Sequence, residues 1–285
     1  MRFIALLLLA LMAVPVRGQD VPYFVAYSDD MQEPGSLEIG SKMATGKLPL
    51  GNRFFGDSVE LEYGTTAWWT SELYLDVTGT TNESTVFGGF RLENRFHPLA
   101  LKHWINPVLY TEFEDINGAD KSVLEVVGHD GKGNLATNSS ASRKQKEREV
   151  ELKLILSSDA KSWNFSENLI FEKNLSNTPW EFGYALGVSH PLRSQGTPDR
   201  CVACLENVSA GAELYGGLGD RYGVGTRLTS QYLGPVTNWQ IPHGPRFSLG
   251  TGFGLNDYSL PRIYRVGIAY EPGQVGTLIH RLLAR

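Results

Sequence analysis

Four arrangements of residues in this sequence could carry chemistry. Cys201-Val202-Ala203-Cys204 is a C-x-x-C pair. Position 205 is Leu, so the His required for c-type haem attachment is missing. One pair is half of a zinc site, and no second C-x-x-C follows. The pair does not open a helix after a strand, which argues against a thioredoxin-like role. In an oxidising compartment two such thiols join as a local disulfide. That is the expected state of Cys201 and Cys204, with free or metal-linked thiols as the alternative. The six histidines are His97, His103, His129, His190, His243 and His280. They form neither HExxH nor H-x3-H, so no metal site and no cofactor is expected.

Ser189-His190 is the one adjacent Ser/His pair. A Ser activated by His is what an acyl hydrolase needs. Neighbours on a strand point to opposite faces, so the two are badly placed to act as a dyad. There is no G-x-S-x-G, and no catalytic residue is expected. The fourth arrangement is a recurring set of acids: Glu60, Glu62, Glu72, Asp76, Glu93, Glu112, Glu114 and Glu151, with Arg91, Arg227 and Arg265 among them. Glu38, Glu172, Glu181 and Glu213, with Lys42 and Lys153, follow the same pattern. They sit between apolar residues at every second position. On adjacent strands they would form one acidic face that favours cations.

The elements that would position them read as strands. Period-two alternation marks 36–46, 58–65, 67–78, 85–96, 105–115, 148–157, 162–172, 180–188, 208–218, 222–232, 247–255 and 264–270. Glu167 breaks the apolar face of 162–172. Turn residues separate the runs, as at Asn117-Gly118, Gly219-Asp220 and Pro242-His243-Gly244-Pro245. About twelve strands are too many for a sandwich of seven to nine. They suit an even-numbered antiparallel barrel.

The chain has 285 residues, of which 41% are hydrophobic and 11% aromatic. That is too apolar for disorder. A net charge of −5 disfavours nucleic-acid binding. Met1-Arg2-Phe3, the apolar run Ile4 to Val14, and Val16-Arg17-Gly18 follow the order of a secretory signal, with cleavage expected after Gly18. No apolar stretch reaches the length of a spanning helix. A membrane-spanning barrel needs only strands of about 9–11 residues. Trp and Tyr cluster near strand ends, as expected of interface girdles.

The signal followed by "WEFGYALGVSH", "AGAELYGGLGD", "YGVGTRLTSQYLGP", "RFSLGTGFGLND" and "YRVGIAYE" resembles Gram-negative outer-membrane β-barrel proteins, porin-like or transporter-like. The resemblance covers roughly residues 35–271. It implies an all-β, antiparallel, up-and-down transmembrane barrel in the outer membrane. It also implies insertion by the barrel-assembly machinery, which reads a final strand ending in an aromatic such as Tyr270. The layout expected is a signal peptide 1–18, an N-terminal periplasmic segment 19–34, the barrel 35–271 and a C-terminal amphipathic helical tail 272–285. Expected partners are outer-membrane lipids and lipopolysaccharide. Residues 117–147 read as a long polar loop. Its basic residues Arg143, Lys144, Lys146 and Arg148 could meet lipopolysaccharide phosphates or stay solvated beside Glu147, Glu149 and Glu151.

The functional expectation is a non-enzymatic channel for small solutes with a preference for cations. The acid-rich inner face leaves two states open, a narrow passage and a plugged lumen. The alternatives are a secreted soluble β-sandwich or barrel that binds carbohydrate or lipid, and an outer-membrane lipid hydrolase.

Overall fold

The computed structural model describes residues 21–49, 51–99, 101–129, 131–176, 178–193, 202 and 204–277. The expected signal peptide and its cleavage site lie outside them. Twelve antiparallel strands close into a barrel: β1 (Ser36–Lys47), β2 (Arg53–Thr66), β3 (Trp69–Thr80), β4 (Thr85–Phe96), β5 (Asn106–Asn117), β6 (Lys146–Ala160), β7 (Trp163–Asn174), β8 (Glu181–Pro191), β9 (Val208–Asp220), β10 (Gln231–Gln240), β11 (Arg246–Gly254) and β12 (Arg262–Gln274). Each strand pairs with its sequence neighbours, and β12 pairs with β1 to close the wall. Closure leaves no free sheet edge. Two short helices, α1 (Lys132–Ala136) and α2 (Ser139–Ser142), lie in the β5–β6 connection.

The alternation in the sequence becomes the two faces of this wall. Ile39, Leu61, Leu92, Phe165, Leu249 and Ile268 point outward and are exposed, Leu92 at 44% and Ile268 at 46%. Glu72, Glu93, Glu112 and Glu151 point inward and are buried, Glu93 and Glu151 at 0%. A soluble sandwich buries its apolar faces, whereas this molecule exposes an apolar belt and buries charge. That inversion excludes the soluble reading, because a belt of this extent must meet lipid. Trp68, Trp69, Trp104, Trp163 and Trp239 gather at the rim that carries the start of β1 and the end of β12, here called the terminal rim. Tyr222, Tyr258 and Trp180 lie toward the opposite rim. Glu167 stays an exception, exposed on the outer face between Phe165 and Leu169.

One strand departs from expectation. Residues 221–228 form an exposed hairpin loop in which only Gly223 and Val224 pair, with Asp220 and Gly219. The tenth strand is instead Gln231–Gln240, and it contains Gly234 and Pro235. Pro cannot donate to a ladder. Accordingly the β10–β11 pairing skips Gly234 and Pro235 and resumes in the same register at Val236. The final strand also runs past the expected boundary at 271 to Gln274. Residues 275–277 begin a helical turn. The remainder of the expected tail lies outside the described residues.

The lumen is filled from both rims. Residues 21–34, expected as a periplasmic segment, run inside the barrel, with Tyr23, Phe24, Val25 and Ala26 buried. The β5–β6 connection, expected as a solvated loop, turns inward over its first half. Lys121, Leu124, Val126 and Val127 are buried there. The apolar run Val123-Leu124-Glu125-Val126-Val127 drives this half away from water. Its basic half stays at the surface, where Arg148 and Lys146 pair with Asp115. Glycines make room for both insertions. A Cβ at Gly56 would stand 2.0 Å from the Lys121 carbonyl oxygen, and one at Gly64 would stand 2.0 Å from that of Glu33.

Candidate functional site: a carboxylate row in a closed lumen

The inner wall carries acids in a definite order. Glu38 pairs in register with Glu62, Glu62 with Glu72, Glu72 with Glu93, and Glu93 with Glu112. Glu112 then pairs with Glu151, Glu151 with Glu172, Glu172 with Glu181, and Glu181 with Asp220. One carboxylate per strand thus stands directly across from the next, from β1 to β9. Strand tilt turns the row into a climb. It starts near the terminal rim at Glu38 and ends at the opposite rim at Asp220.

Like charges directly opposed across strands repel. Cations from the neighbouring rows offset this. Arg95 bonds Glu62, pairs with Glu93 at 2.8 Å and lies 3.6 Å from Glu72. The buried Arg91 clasps Asp76 with two bonds of 2.8 and 3.0 Å and reaches Glu112 at 3.5 Å. It also donates to Ser58 Oγ at 3.0 Å, which itself donates to Asp76. Lys153 pairs with Glu151 at 2.8 Å and with Glu125 of the inward loop at 3.2 Å. Lys42 pairs with Glu60 at 3.2 Å, and Arg246 with Glu38 at 2.7 Å. Glu114 faces Arg91 across β4–β5. Arg265 donates to Tyr215 Oη at 2.7 Å and to the Val123 carbonyl at 2.9 Å.

The sequence-expected wall residues therefore fall on the inner face with one exception. Arg227 lies in the exposed β9–β10 loop and lines nothing. Its alternation with Tyr222, Val224 and Leu228 belongs to a hairpin tip and not to a strand. Cys204 is disulfide-bonded, and Cys201 lies outside the described residues. Ser189 is buried inside the barrel, whereas the His190 ring lies on the Trp163 ring, 4.8 Å between centroids. They face opposite sides of the wall.

The N-terminal segment is held by Glu213, already expected on the inner face, and by side chains that the sequence reading did not single out. Glu213 Oε1 accepts the backbone N–H groups of Phe24, Val25 and Ala26 at 3.0, 2.7 and 2.8 Å. Asn168 accepts the Tyr27 N–H at 2.6 Å and donates to its carbonyl at 2.9 Å. Tyr23 donates to Asn164, Thr70 accepts the Gln32 N–H, and Arg95 donates to the Asp30 carbonyl. The wall reads the segment mostly by its backbone. That is why no side-chain motif announces it.

Between the inward loop and the wall remains a cavity of about 250 Å³ lined by Arg91, Glu114, Asp120, Glu149, Glu172 and Tyr232 among others. Carboxylate oxygens of Glu114, Glu149 and Glu172 lie within 4.8 Å of one another there. Glu149 also accepts from Asn174 at 2.7 Å. This is the grouping among the described residues whose spacing could bridge a hard cation.

Asp120, on the inward loop, accepts from Ser122 Oγ at 2.8 Å. Burial and the nearby Asp76 raise its pKa to about 6, against the opposing pull of Arg91 and Ser122. The docked loop thus binds a proton that the free loop releases near pH 4. Its contribution is complete below pH 4 and fades as pH rises through 6. Hydrogen exchange across 118–129 is expected to be slower at pH 5 than at pH 7.5, after correction for intrinsic rates. Asp120→Asn is expected to flatten that difference, and a difference that survives the substitution assigns it elsewhere.

The closed twelve-stranded wall, apolar outside and charged inside, defines a transmembrane β-barrel of the outer-membrane type. No family model and no curated protein matches the sequence. Among solved structures the chain is similar to the KdgM porin, with a TM-score of 0.50 and 9% identity over 82% of this chain and 98% of that one. It is also similar to LpxR from Salmonella typhimurium, with a TM-score of 0.42 and 11% identity over 82% and 99%. A third is an active-site mutant of outer membrane phospholipase A from Escherichia coli, with a TM-score of 0.42 and 11% identity over 90% and 98%. At these identities the likeness is one of fold.

Proposed function

We propose that this protein is an outer-membrane channel for small, preferentially cationic solutes, closed at rest by its own N-terminal segment and inward loop. The observation that carries the reading is the register-matched row of carboxylates from Glu38 to Asp220. It runs from rim to rim and gives a cation a succession of negative stations. The shared fold with a porin agrees with passage. The reading is non-enzymatic, and the opposite facing of Ser189 and His190 supports that.

Closure follows from the two insertions. Both are held by polar side chains and by an apolar cluster in which Tyr23, Phe24, Val25 and Ala26 join Val126 of the inward loop and Tyr215 and Tyr232 of the wall, so their release costs hydrogen bonds that water can replace together with that apolar contact. The test is reversal potential in a planar bilayer under a potassium chloride gradient, with the resting closure loosened by Glu213→Ala. A clear shift toward the potassium equilibrium potential is expected. Adding Glu112→Gln and Glu172→Gln should reduce that shift. Anion preference, or no conductance from a folded and loosened barrel, would overturn the reading.

A further inference from the structure

Tyr27 of the N-terminal segment meets the wall both by backbone and by side chain. Asn168 holds its N–H and carbonyl, and its half-buried phenol reaches Glu93. The Tyr27 ring meets the Tyr110 ring edge-on at 5.3 Å between centroids. Lys153 Nζ lies 4.8 Å from the ring centroid and Arg95 Cζ 5.6 Å from it. The phenol donates to Glu93 Oε2 at 3.0 Å, an oxygen that also receives the Tyr74 hydroxyl at 3.0 Å. Three consecutive strands, β4 to β6, supply the cations, the ring and the carboxylate, and β3 supplies Tyr74.

We propose that this seat is a binding site for the hydroxylated ring of a phenolic solute, with Tyr27 as its resident occupant. The chemistry of the seat specifies the class. Two cations near a ring select an aromatic face. A buried carboxylate opposite the ring's edge selects a hydroxyl donor, because an unhydroxylated ring would leave Glu93 Oε2 short of a partner it is built to receive. The same carboxylate repels a phenolate, so the ligand is the neutral phenol. Tyr27 itself reports this preference, since burial and the Glu93 charge hold its phenol well above the usual range. Once Tyr27 leaves, the seat presents a carboxylate and two cations that the ring and hydroxyl of a neutral phenol can satisfy. A phenolic solute that fills it therefore substitutes for the segment and lets Tyr27 leave.

The site rests on the geometry of the wall, and its use in transport rests on the channel reading. The test uses the full-length protein refolded in detergent, with Tyr27→Ala as the vacant seat and 4-methylphenol against toluene as probes. The expected result is a rise in the unfolding midpoint of Tyr27→Ala with 4-methylphenol. Apparent affinity should be about tenfold tighter than for toluene, the effect of one hydrogen bond to a charged group. Adding Glu93→Gln should narrow that ratio. Equal shifts from the two probes, or none, overturn the proposal. If Tyr27→Ala does not refold, Tyr27→Phe keeps the ring and its packing. In that variant 4-methylphenol should speed hydrogen exchange of residues 21–34 while toluene does not, and identical exchange with both overturns the site. The two readings fail separately. Selective binding without conductance keeps the site and removes the channel. Conductance without selectivity between the probes keeps the channel and removes the site.

Discussion

Glu213→Ala is expected to raise the conductance of the reconstituted protein by on the order of a hundredfold over the wild type. The Glu213 carboxylate accepts three successive backbone N–H groups, all within 3.0 Å, in the middle of the barrel. Hydrogen bonds to a charged acceptor contribute about 1.5–3 kcal/mol each. Losing three weakens the closed state by several kcal/mol, and part of that returns as water enters the vacated space. A net shift of about 3 kcal/mol changes the closed-to-open ratio roughly a hundredfold. Glu213→Gln keeps an acceptor oxygen without the charge and should give an intermediate value. Hydrogen exchange at residues 24–26 must rise in the same order. If the Ala variant folds, conducts no better and keeps those amides protected, the segment is held by something else.

The largest expected loss of stability lies at Arg91. The residue is 2% exposed, and its guanidinium joins Asp76, Glu112 and Ser58 across strands β2 to β5. Breaking a buried pair by removing one partner costs about 3–5 kcal/mol, because the remaining charge is left without compensation. Arg91→Met keeps much of the volume and removes the charge. The unfolding midpoint in urea should fall accordingly, and the folded band on an unheated gel should disappear at a lower temperature. Arg91→Met with Asp76→Asn should recover part of the loss. A variant as stable as the wild type would show that solvent reaches these acids in the folded barrel. Tyr74, whose ring lies 4.6 Å from the guanidinium carbon, would then be the place to look for the opening.

The wall was legible because its physics repeats every two residues. Leu73, Leu75 and Val77 against Glu72, Tyr74 and Asp76 state both the strand and its sidedness, and the structure keeps that assignment. The row of carboxylates was not legible as a row. Glu72, Glu93 and Glu112 are recognisable as inward-facing one at a time. That they stand in line depends on turn lengths and on bulges such as the one between Asp76 and Val77. The β10 strand was hidden by Gly234 and Pro235, which lower strand propensity without preventing a ladder on the β9 side. Arg227 was misplaced by the same error, since a loop with chance alternation displaced the true strand.

The insertions failed for a different reason. Residues 21–34 and 118–129 bury apolar side chains in short, aperiodic stretches such as Tyr23 to Ala26, and a lumen filled by such stretches has no repeat to read. Val123-Leu124-Glu125-Val126-Val127 is the signal that could have been read. Its apolar character is at odds with a solvated loop, but the basic and Ser/Asn-rich half beside it dominated the composition. Glu213 was recognised as inward-facing, but its isolation among Ala, Gly and Leu on β9 did not reveal that its partners would be the backbone amides of residues 24–26.

The path of the N-terminal segment has a mechanical consequence. It leaves the wall at Pro34, which bridges to Gly64 near the terminal rim, rises to Glu213 and Glu93 at mid-height, and comes back beside Asn164, the second residue of β7 on that same rim. Over the described residues 21–34 the segment contacts the wall at several heights in turn. Tension applied at its leading end would load the Tyr23–Asn164 contact first, then the three Glu213 bonds, then Asn168 and the Tyr27 ring, one anchorage after another. Peeling in sequence takes far less force than shearing all anchorages together. On the channel reading, a pull from the terminal side would release these anchorages one after another, and the apolar contacts of Tyr23 and Phe24 would add to each step.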